Sequence, residues 1–519
     1  MRLDRAEIYG FRNLDAFEIT FDKRRLTTVV IGENASGKSN LIEALVEIFR
    51  AADLGVNVHF QFEVEYRLSG RKVKLSNKNG TIAATLDGKE LTKTALDDRR
   101  ADVLPDMIFG YYSGSSRRLE RLFDDHQRRY YNVIKTNEDP AACRAALAER
   151  RLFYCRPIHG VFALAAFFAF PDHEVLHSLR EKLNIGNFGS ALAYFREPWF
   201  AKSKPRSTRD PFKLWGAAGP AGACARAWLD AAYYPIDLED QPRDDYRDKD
   251  ESESQLACFI RSSADLAKLA ANYYDDSDMF AALEAADISD LFRDLLLWVS
   301  RSNEGHEIGY SELSDGERQL LMVLGLTRIS RGKRVLFLLD EPDTHLNPSW
   351  QLEYLKLIKS WTGQDEEADN CQFILTSHNP LTIAALKKEE VRVMSSASGE
   401  ARAYQPRVDP RGLGFSGVLV DVFGLQSAID EPTRDLIDER NTLVRQEALT
   451  SKQKARLETL TFELANMGIT YEHRDRLYRE FLRQFDKLQL EGDRPLTPDE
   501  LEEMAKESER LVKEIRSRQ

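Results

Sequence analysis

Eight residues near the N-terminus restrict the fold more than anything else in this 519-residue chain: Gly32-Glu33-Asn34-Ala35-Ser36-Gly37-Lys38-Ser39. They follow a short β-branched apolar run at 26–31. They precede a stretch in which Leu41, Ile42, Leu45 and Ile48 recur at helical spacing. A glycine-bearing loop between a buried strand and a helix is a phosphate cradle. Its glycines let backbone N–H groups turn inward around anionic oxygens, and the helix start adds the positive end of its dipole. In this pattern Lys38 is expected to reach the β- and γ-phosphates of a nucleoside triphosphate and Ser39 to ligate Mg2+.

Three later segments supply the rest of a phosphoryl-transfer site. The apolar run at 335–339 ends in Asp340-Glu341-Pro342. After a phosphate cradle, an apolar strand closing on two acids predicts Asp340 as a Mg2+ ligand, directly or through water. Glu341 becomes the general base that orients or deprotonates the attacking water. Leu313-Ser314-Asp315-Gly316-Glu317-Arg318-Gln319 precedes a helix with Leu320, Leu321, Val323, Leu324 and Leu326. A second core strand at 373–375 leads into Thr376-Ser377-His378. A lone histidine is more often structural, but this one stands at the end of the strand that follows the acidic pair.

Taken together these segments resemble the ATP-binding cassette ATPases of the SMC/RecF-like kind. The stretch at 313–317 is similar to that family's signature, and Asp315 departs from the transporter form of it while suiting the SMC-like form. The resemblance implies that Ser314 and Gly316 contact the γ-phosphate held by another protomer, that His378 senses that phosphate, and that Asp343-Thr344-His345-Leu346-Asn347-Pro348 is the D-loop. Ile8-Tyr9-Gly10-Phe11-Arg12-Asn13-Leu14 resembles the first strand of such heads, so Arg12 and Asn13 are carried over as nucleotide contacts. The candidate nucleotide-binding set is then Arg12, Asn13, Gly32, Glu33, Asn34, Ala35, Ser36, Gly37, Lys38, Ser39, Asn40, Ser314, Gly316 and Glu317. Glu341 and His378 are the catalytic candidates, Ser39 and Asp340 the Mg2+ ligands, and ATP and Mg2+ the cofactors. The family's Q-loop glutamine is not evident. The stretch at 107–118, which ends in a G-S-x-x-R-R run of RecF-like character, occupies that region.

The expected fold class is α/β: an ABC-type P-loop ATPase head with a mixed central sheet and an antiparallel β lobe, a helical insertion and a C-terminal α-helical region. Alternating segments at 60–91, with Gly70, Gly80 and Gly88 at the turns, predict an antiparallel meander. The expected boundaries are 1–120 for the first head lobe, 121–305 for a helical insert or lid with mobile loops at 202–209 and 239–254, 306–425 for the second lobe, and 426–519 for a charged, partner-binding helical region. In that last part Leu457, Leu460 and Leu464 form one apolar face. Leu477, Phe481, Leu482 and Phe485 form another, and Thr497-Pro498-Asp499-Glu500 reads as a capping box. No sustained heptad run fits a long coiled-coil arm.

Charge and composition bound the partners. The formal net charge is −12, so composition gives no argument for a general nucleic-acid coat. Nucleic acid stays a compatible partner, because Arg117, Arg118, Arg121, Arg128 and Arg129 offer either a local basic surface or an ordinary exposed helix face. The longest apolar run, 161–170, is half the length of a membrane span of about 20 residues and reads as core. With no signal-type N-terminus the expected location is cytoplasmic and off the membrane. The five cysteines lie at no metal-ligand spacing and read as buried thiols.

The resemblance further implies that the cradle and the signature cannot complete one site within one head, so the working form is expected to be at least a homodimer. A standalone ATPase of this length looks like the PtuA-type ATPase subunit of Septu anti-phage systems, found also beside retrons. That likeness extends to the region from Asp409-Pro410-Arg411 to Phe423-Gly424-Leu425 and to Glu472-His473-Arg474-Asp475. It implies a separate HNH nuclease as partner. A PARIS-like ATPase gating a Toprim effector and a RecF-like repair ATPase are the alternatives. A transporter ATPase and a nucleotide-binding scaffold that hydrolyses little are further ones. The pairs Asp248/Asp250 and Asp276/Asp278 lie before 340, in polar stretches, so an intrinsic Toprim nuclease of the OLD type is not expected.

Overall fold

The strand that feeds the phosphate cradle, β3 (Thr27–Gly32), is buried along its whole length, as are β15 (Val335–Asp340) and β16 (Cys371–Thr376). Strands buried on both faces read as continuous apolar runs, which is what these sequences carry. The computed structural model describes residues 1–467 apart from short stretches at 78–79, 136, 138, 200, 204, 206–208, 241–251, 302–305, 363–369, 398, 426–428, 445 and 447–448, and not residues 468–519. The buried strands form the middle of a seven-stranded sheet, in the order β18-β17-β3-β16-β15-β8-β9. The other members are β8 (Met107–Tyr112), β9 (Leu152–Tyr154), β17 (Val391–Ala397) and β18 (Glu400–Tyr404). Every pairing is parallel except that of β17 with β18.

The register decides what meets at the sheet's carboxyl edge. Asp340 pairs with Thr376 on one side and Tyr112 on the other, so the residues that follow these strands gather at one rim. In open α/β sheets ligands bind in the crevice at that edge. The same register stacks Phe109, Phe337 and Phe373 across three strands, with centroids 5.0 and 4.2 Å apart and rings within 10° of parallel. These rings face the core shared with the insert. The intervening Leu336, Leu338 and Ile374 face the opposite core with helix α1 (Lys38–Leu54).

The antiparallel lobe follows the predicted meander. Strands β1 (Arg2–Tyr9) and β2 (Phe17–Thr20) join β4 (Gln61–Leu68), β5 (Arg71–Asn77), β6 (Ile82–Leu86) and β7 (Lys89–Leu91) in the order β2-β1-β4-β5-β6-β7. The insert contains helices, among them Ile158–Ala169, Gly219–Ala231 and Asp276–Ile288. It also contains a five-stranded antiparallel sheet that the sequence reading missed, in the order β11-β12-β10-β13-β14. These strands are β10 (Ile185–Arg196), β11 (Ile236–Asp240), β12 (Glu253–Ile260), β13 (Phe292–Arg301) and β14 (Glu307–Gly309). The alternation in β13 is hidden because Leu296 and Trp298, on the half-buried face, are as apolar as the buried Leu295, Leu297 and Val299. Most of the expected mobile segment at 239–254 lies outside the described residues, as does part of 202–209.

Residues Met1–Ala428 form one compact unit and Ile429–Gln519 a second. The described part of the second holds helices Glu431–Val444 and Ser451–Asn466. They are tied to each other by Arg456 and Glu439 at 2.7 Å, and Leu460 and Leu464 are buried. The motifs read at 472–475, 477–485 and 497–500 lie outside the described residues. All five cysteines are buried and none is in a disulfide. The apolar run at 161–170 lies mostly within helix Ile158–Ala169, in the core, and no described helix is long and apolar enough to cross a membrane.

Phe337→Ala is expected to cost about 3–5 kcal/mol, because it empties the middle of the aromatic stack. Urea denaturation checks this, and a cost below about 1 kcal/mol would mean that the stack does not hold the rim in register.

Candidate functional site

The cradle takes its shape from three special backbone positions. Gly32 ends β3 with its Cα facing the β17 backbone, where a Cβ would meet the Met394 carbonyl oxygen at 2.1 Å. Ala35 and Gly37 have φ of 64° and 101°, in the left-handed region. A Cβ on Gly37 would meet the Asn13 amide within 2.9 Å, so glycine lets Asn13 lie directly on the loop. Helix α1 then starts with no side-chain cap, which leaves its first N–H groups for a ligand. Ser36 is fully buried and its hydroxyl has no hydrogen-bond partner. The Lys38 ammonium donates to the carbonyls of Gly32 at 2.8 Å and Glu33 at 3.0 Å, which folds it over the loop. Burial pushes its pKa down, opposed by Glu341 and Asp340. An orphaned buried hydroxyl, an uncapped helix start and a partly desolvated ammonium all favour an anion rich in acceptor oxygens.

The acidic edge lies against this cradle. Asp340 is buried and accepts hydrogen bonds from the Thr376 hydroxyl and from Ser39. Burial raises its pKa, and these two hydroxyls and Arg118 oppose the rise. The two predicted Mg2+ ligands, Ser39 and Asp340, therefore touch each other. They form an oxygen pair suited to a small hard cation, and the residues present fit ATP with Mg2+. Glu341 adopts φ 53°, unusual for a non-glycine residue, and its N–H donates to Thr376 Oγ1 at 3.0 Å. Such backbone costs about 1–3 kcal/mol and clusters at functional sites. His378 Nδ1 lies 3.3 Å from Glu341 Oε1, so the two catalytic candidates are adjacent.

Ser113 stands directly after β8, in the stretch that occupies the Q-loop region of the resemblance. Its N–H donates to the Asp340 carbonyl at 3.2 Å, and its hydroxyl lies 3.5 Å from that of Thr344. The D-loop is pinned by Asp343, a buried carboxylate that accepts from Ser377 Oγ at 2.6 Å and from Thr382.

The signature begins helix Asp315–Ile329, with Ser314 as N-cap. Ser314 and Glu317 make a reciprocal capping box, and the other oxygen of Glu317 is 2.8 Å from Arg301. Both carboxylate oxygens of Glu317 are thus engaged within its own head, which fits a structural brace better than the nucleotide contact expected of it. Gly316 is needed for a different reason: a Cβ there would meet the His345 carbonyl at 2.6 Å, so only glycine lets the signature lie on the D-loop. Ser314 and Asp315 are exposed. Among the described residues no hydrogen bond or ion pair joins 314–317 to 32–40.

Arg12, Asn13 and Asn40 form a hydrogen-bonded chain beside the cradle: Arg12 Nη1 donates to Asn40 Oδ1 at 2.9 Å, and Asn40 Nδ2 donates to Asn13 Oδ1 at 2.7 Å. Of the five arginines read as a basic face, Arg118 turns inward to Glu43, and Arg117 pairs with Glu120 at 2.7 Å. Glu43 was not singled out in the sequence. The available signal was its position four residues after Ser39, on the same helix face.

With this geometry in hand, likenesses to known proteins bear on the whole head. Residues 1–110 match the family model "AAA ATPase domain", and residues 226–384 match "AAA domain, putative AbiEii toxin, Type IV TA system". Over these two segments the chain is similar to AAA-type ATPase domains. It is similar to the Septu protein PtuA of Bacillus mycoides, 29% identical over 132 residues, which are 25% of this chain and 18% of PtuA. It is similar to the retron Vc95 probable ATPase of Vibrio cholerae, 27% identical over 128 residues, 22% of this chain and 23% of the relative. It is also similar to the DNA replication and repair protein RecF of Anaeromyxobacter dehalogenans, 30% identical over 232 residues, 42% of this chain and 58% of RecF. In each case the chain spans less than two thirds of the relative's length. The SMC head domain from Thermotoga maritima aligns with a TM-score of 0.34 at 14% identity, over 79% of this chain and 100% of that one.

Gly316→Ala is expected to lower ATPase turnover at least about tenfold, by forcing the signature off the D-loop, while leaving the affinity of the cradle for ATP within about twofold. Steady-state kinetics beside equilibrium nucleotide titration separate the two. An unchanged turnover would show that the contact between Gly316 and His345 has no part in the site.

Proposed function

We propose that this chain is an ATP-hydrolysing switch that works as a homodimer, with two composite sites, each built from the cradle of one copy and the signature of the other. The observation that carries the reading is the separation within one head. The cradle holds unsatisfied donors, while an exposed Ser314 at an ordered helix start is joined to none of them. ATP supplies the phosphoanhydride bond to be broken, and Mg2+ offsets phosphate charge. Lys38, Ser36 and the start of α1 bind the phosphates, and Ser39 with Asp340 holds the metal. Glu341 accepts a proton from the attacking water at its carboxylate, and His378 orients that carboxylate through Nδ1. Arg12, Asn13 and Asn40 border the cradle, and Glu317 keeps the signature helix start in shape.

The switch controls a separate effector, an HNH-type nuclease of an anti-phage system, and this chain has no nuclease of its own. Support comes from the likeness to a Septu protein and a retron ATPase, and the second unit is the natural platform for the effector. The RecF likeness, which covers more of the chain, favours a second reading in which the dimer acts on DNA in repair. Copies with their neighbouring reading frames, weighed by native mass spectrometry, discriminate: a bound nuclease supports the first reading, and a lone dimer retaining gapped DNA supports the second.

Glu341→Gln is expected to bind ATP, hydrolyse it at least about a hundredfold more slowly, and accumulate as an ATP-dependent dimer. Lys38→Ala is expected to stay monomeric whether or not ATP is added. Light scattering after gel filtration reads both. Parental turnover by Glu341→Gln would remove Glu341 from the role of base.

A further inference from the structure

Helix α1 turns one face toward the acidic edge. Ser39 meets Asp340 there, and Asn40 and Glu43, one turn further along, reach two arginines from different parts of the chain. Arg12 comes from the turn after β1 and places Nη1 2.6 Å from Glu43 Oε2. Arg118 comes from the loop after β8 and pairs with Glu43 Oε1. The Glu43 side chain is 5% exposed, whereas those of Arg12 and Arg118 are 40% and 46% exposed. The carboxylate is therefore the fixed, buried member, and the guanidiniums are the outer members, each with donors to spare beyond Glu43 and, for Arg12, Asn40.

We propose that Glu43 is a positioning residue that anchors Arg12 and Arg118 as a paired cationic fork beside the cradle, and that Arg118 is a phosphate-binding residue of the ATP site. This rests on the ATPase reading given above.

Two guanidiniums brought to one carboxylate would repel each other and swing into solvent if nothing fixed them. One buried carboxylate removes part of that repulsion and sets both planes, while the remaining N–H groups stay open to oxyanions. Burial pushes the Glu43 carboxyl pKa up, but Arg118 and Arg12 oppose this. Arg118 also acts electrostatically on Asp340, so the fork reaches the metal-binding carboxylate. Arginine suits the place because its planar fork matches phosphate oxygens, which a lysine ammonium does not.

The test is equilibrium titration of the full-length chain with a fluorescent ATP analogue and Mg2+, followed by steady-state kinetics, on Glu43→Gln, Arg118→Ala, the double variant and Glu43→Asp. Glu43→Gln is expected to weaken ATP binding about tenfold and raise KM in parallel, with kcat changed less. Its fold is expected to persist, because both arginines can turn to solvent. Arg118→Ala is expected to weaken binding similarly, and the double variant to be scarcely worse than either single one, since both changes remove the same fork. Glu43→Asp should restore part of the affinity. Unchanged affinity in Glu43→Gln, or losses that simply add in the double variant, would overturn the inference. Lys38→Ala in the same titration separates this from the parent reading. If Lys38→Ala still binds ATP, the cradle assignment fails. If it does not while Glu43→Gln binds normally, only the fork fails.

Discussion

Asp340 is a carboxylate placed where water hardly reaches, and much of the head is arranged around keeping a charge there. The parallel register of β15 with β16 sets the Thr376 hydroxyl against it, and the start of α1 brings Ser39 from the other side. Burial raises the pKa of this carboxyl, and these hydroxyls together with the positive charge of Arg118 oppose the rise. A slip of one residue in the register would turn Thr376 to the other face and put Leu375 or Ser377 in its place. The stack of Phe109, Phe337 and Phe373 opposes such a slip, so apolar packing on one face of the sheet secures electrostatics at its rim.

The same logic extends outward through three contacts that each use one small group. Gly37 lets Asn13 rest on the cradle, and Gly316 lets the signature rest on the D-loop. Gly325 brings the signature helix against Ala163 of helix Ile158–Ala169, where an added Cβ would come within 2.4 Å. The insert is thereby packed directly behind the signature and shares the core of the central sheet. The insert and Ser314 are therefore joined through one helix, Asp315–Ile329, which the insert packs against at Gly325 and Ser314 caps.

Much of this was legible in the sequence, because the chemistry resides in short contiguous segments: the cradle at 32–39, Asp340-Glu341, and the signature at 313–317. The structure gathers Ser39, Asp340, Glu341 and His378 at one rim, as their positions at strand ends implied. Residues acting through distant partners were not legible. Glu43 looks like any acidic residue inside an amphipathic helix until Arg12 and Arg118 fold onto it. Arg118 looked like one of an exposed basic set. The stretch at 107–118 contains no glutamine, and its contact with the acidic edge is made by the backbone N–H of Ser113, which no side-chain pattern reports. Glu317 was read as a ligand although its spacing from Ser314 is that of a capping box, and the box is what forms. The insert sheet escaped notice because a strand that is apolar on both faces does not alternate.

The central claim is that each ATP site is shared between two copies, and complementation tests it most directly. Lys38→Ala and Ser314→Arg chains are prepared separately, each inactive, then mixed at equal concentration and assayed for ATPase. A shared site predicts recovery to as much as about half of parental turnover, because only the mixed dimer contains an intact site and that site is one of two. No recovery at any mixing ratio, with mixed dimers confirmed by native mass spectrometry, would contradict the account.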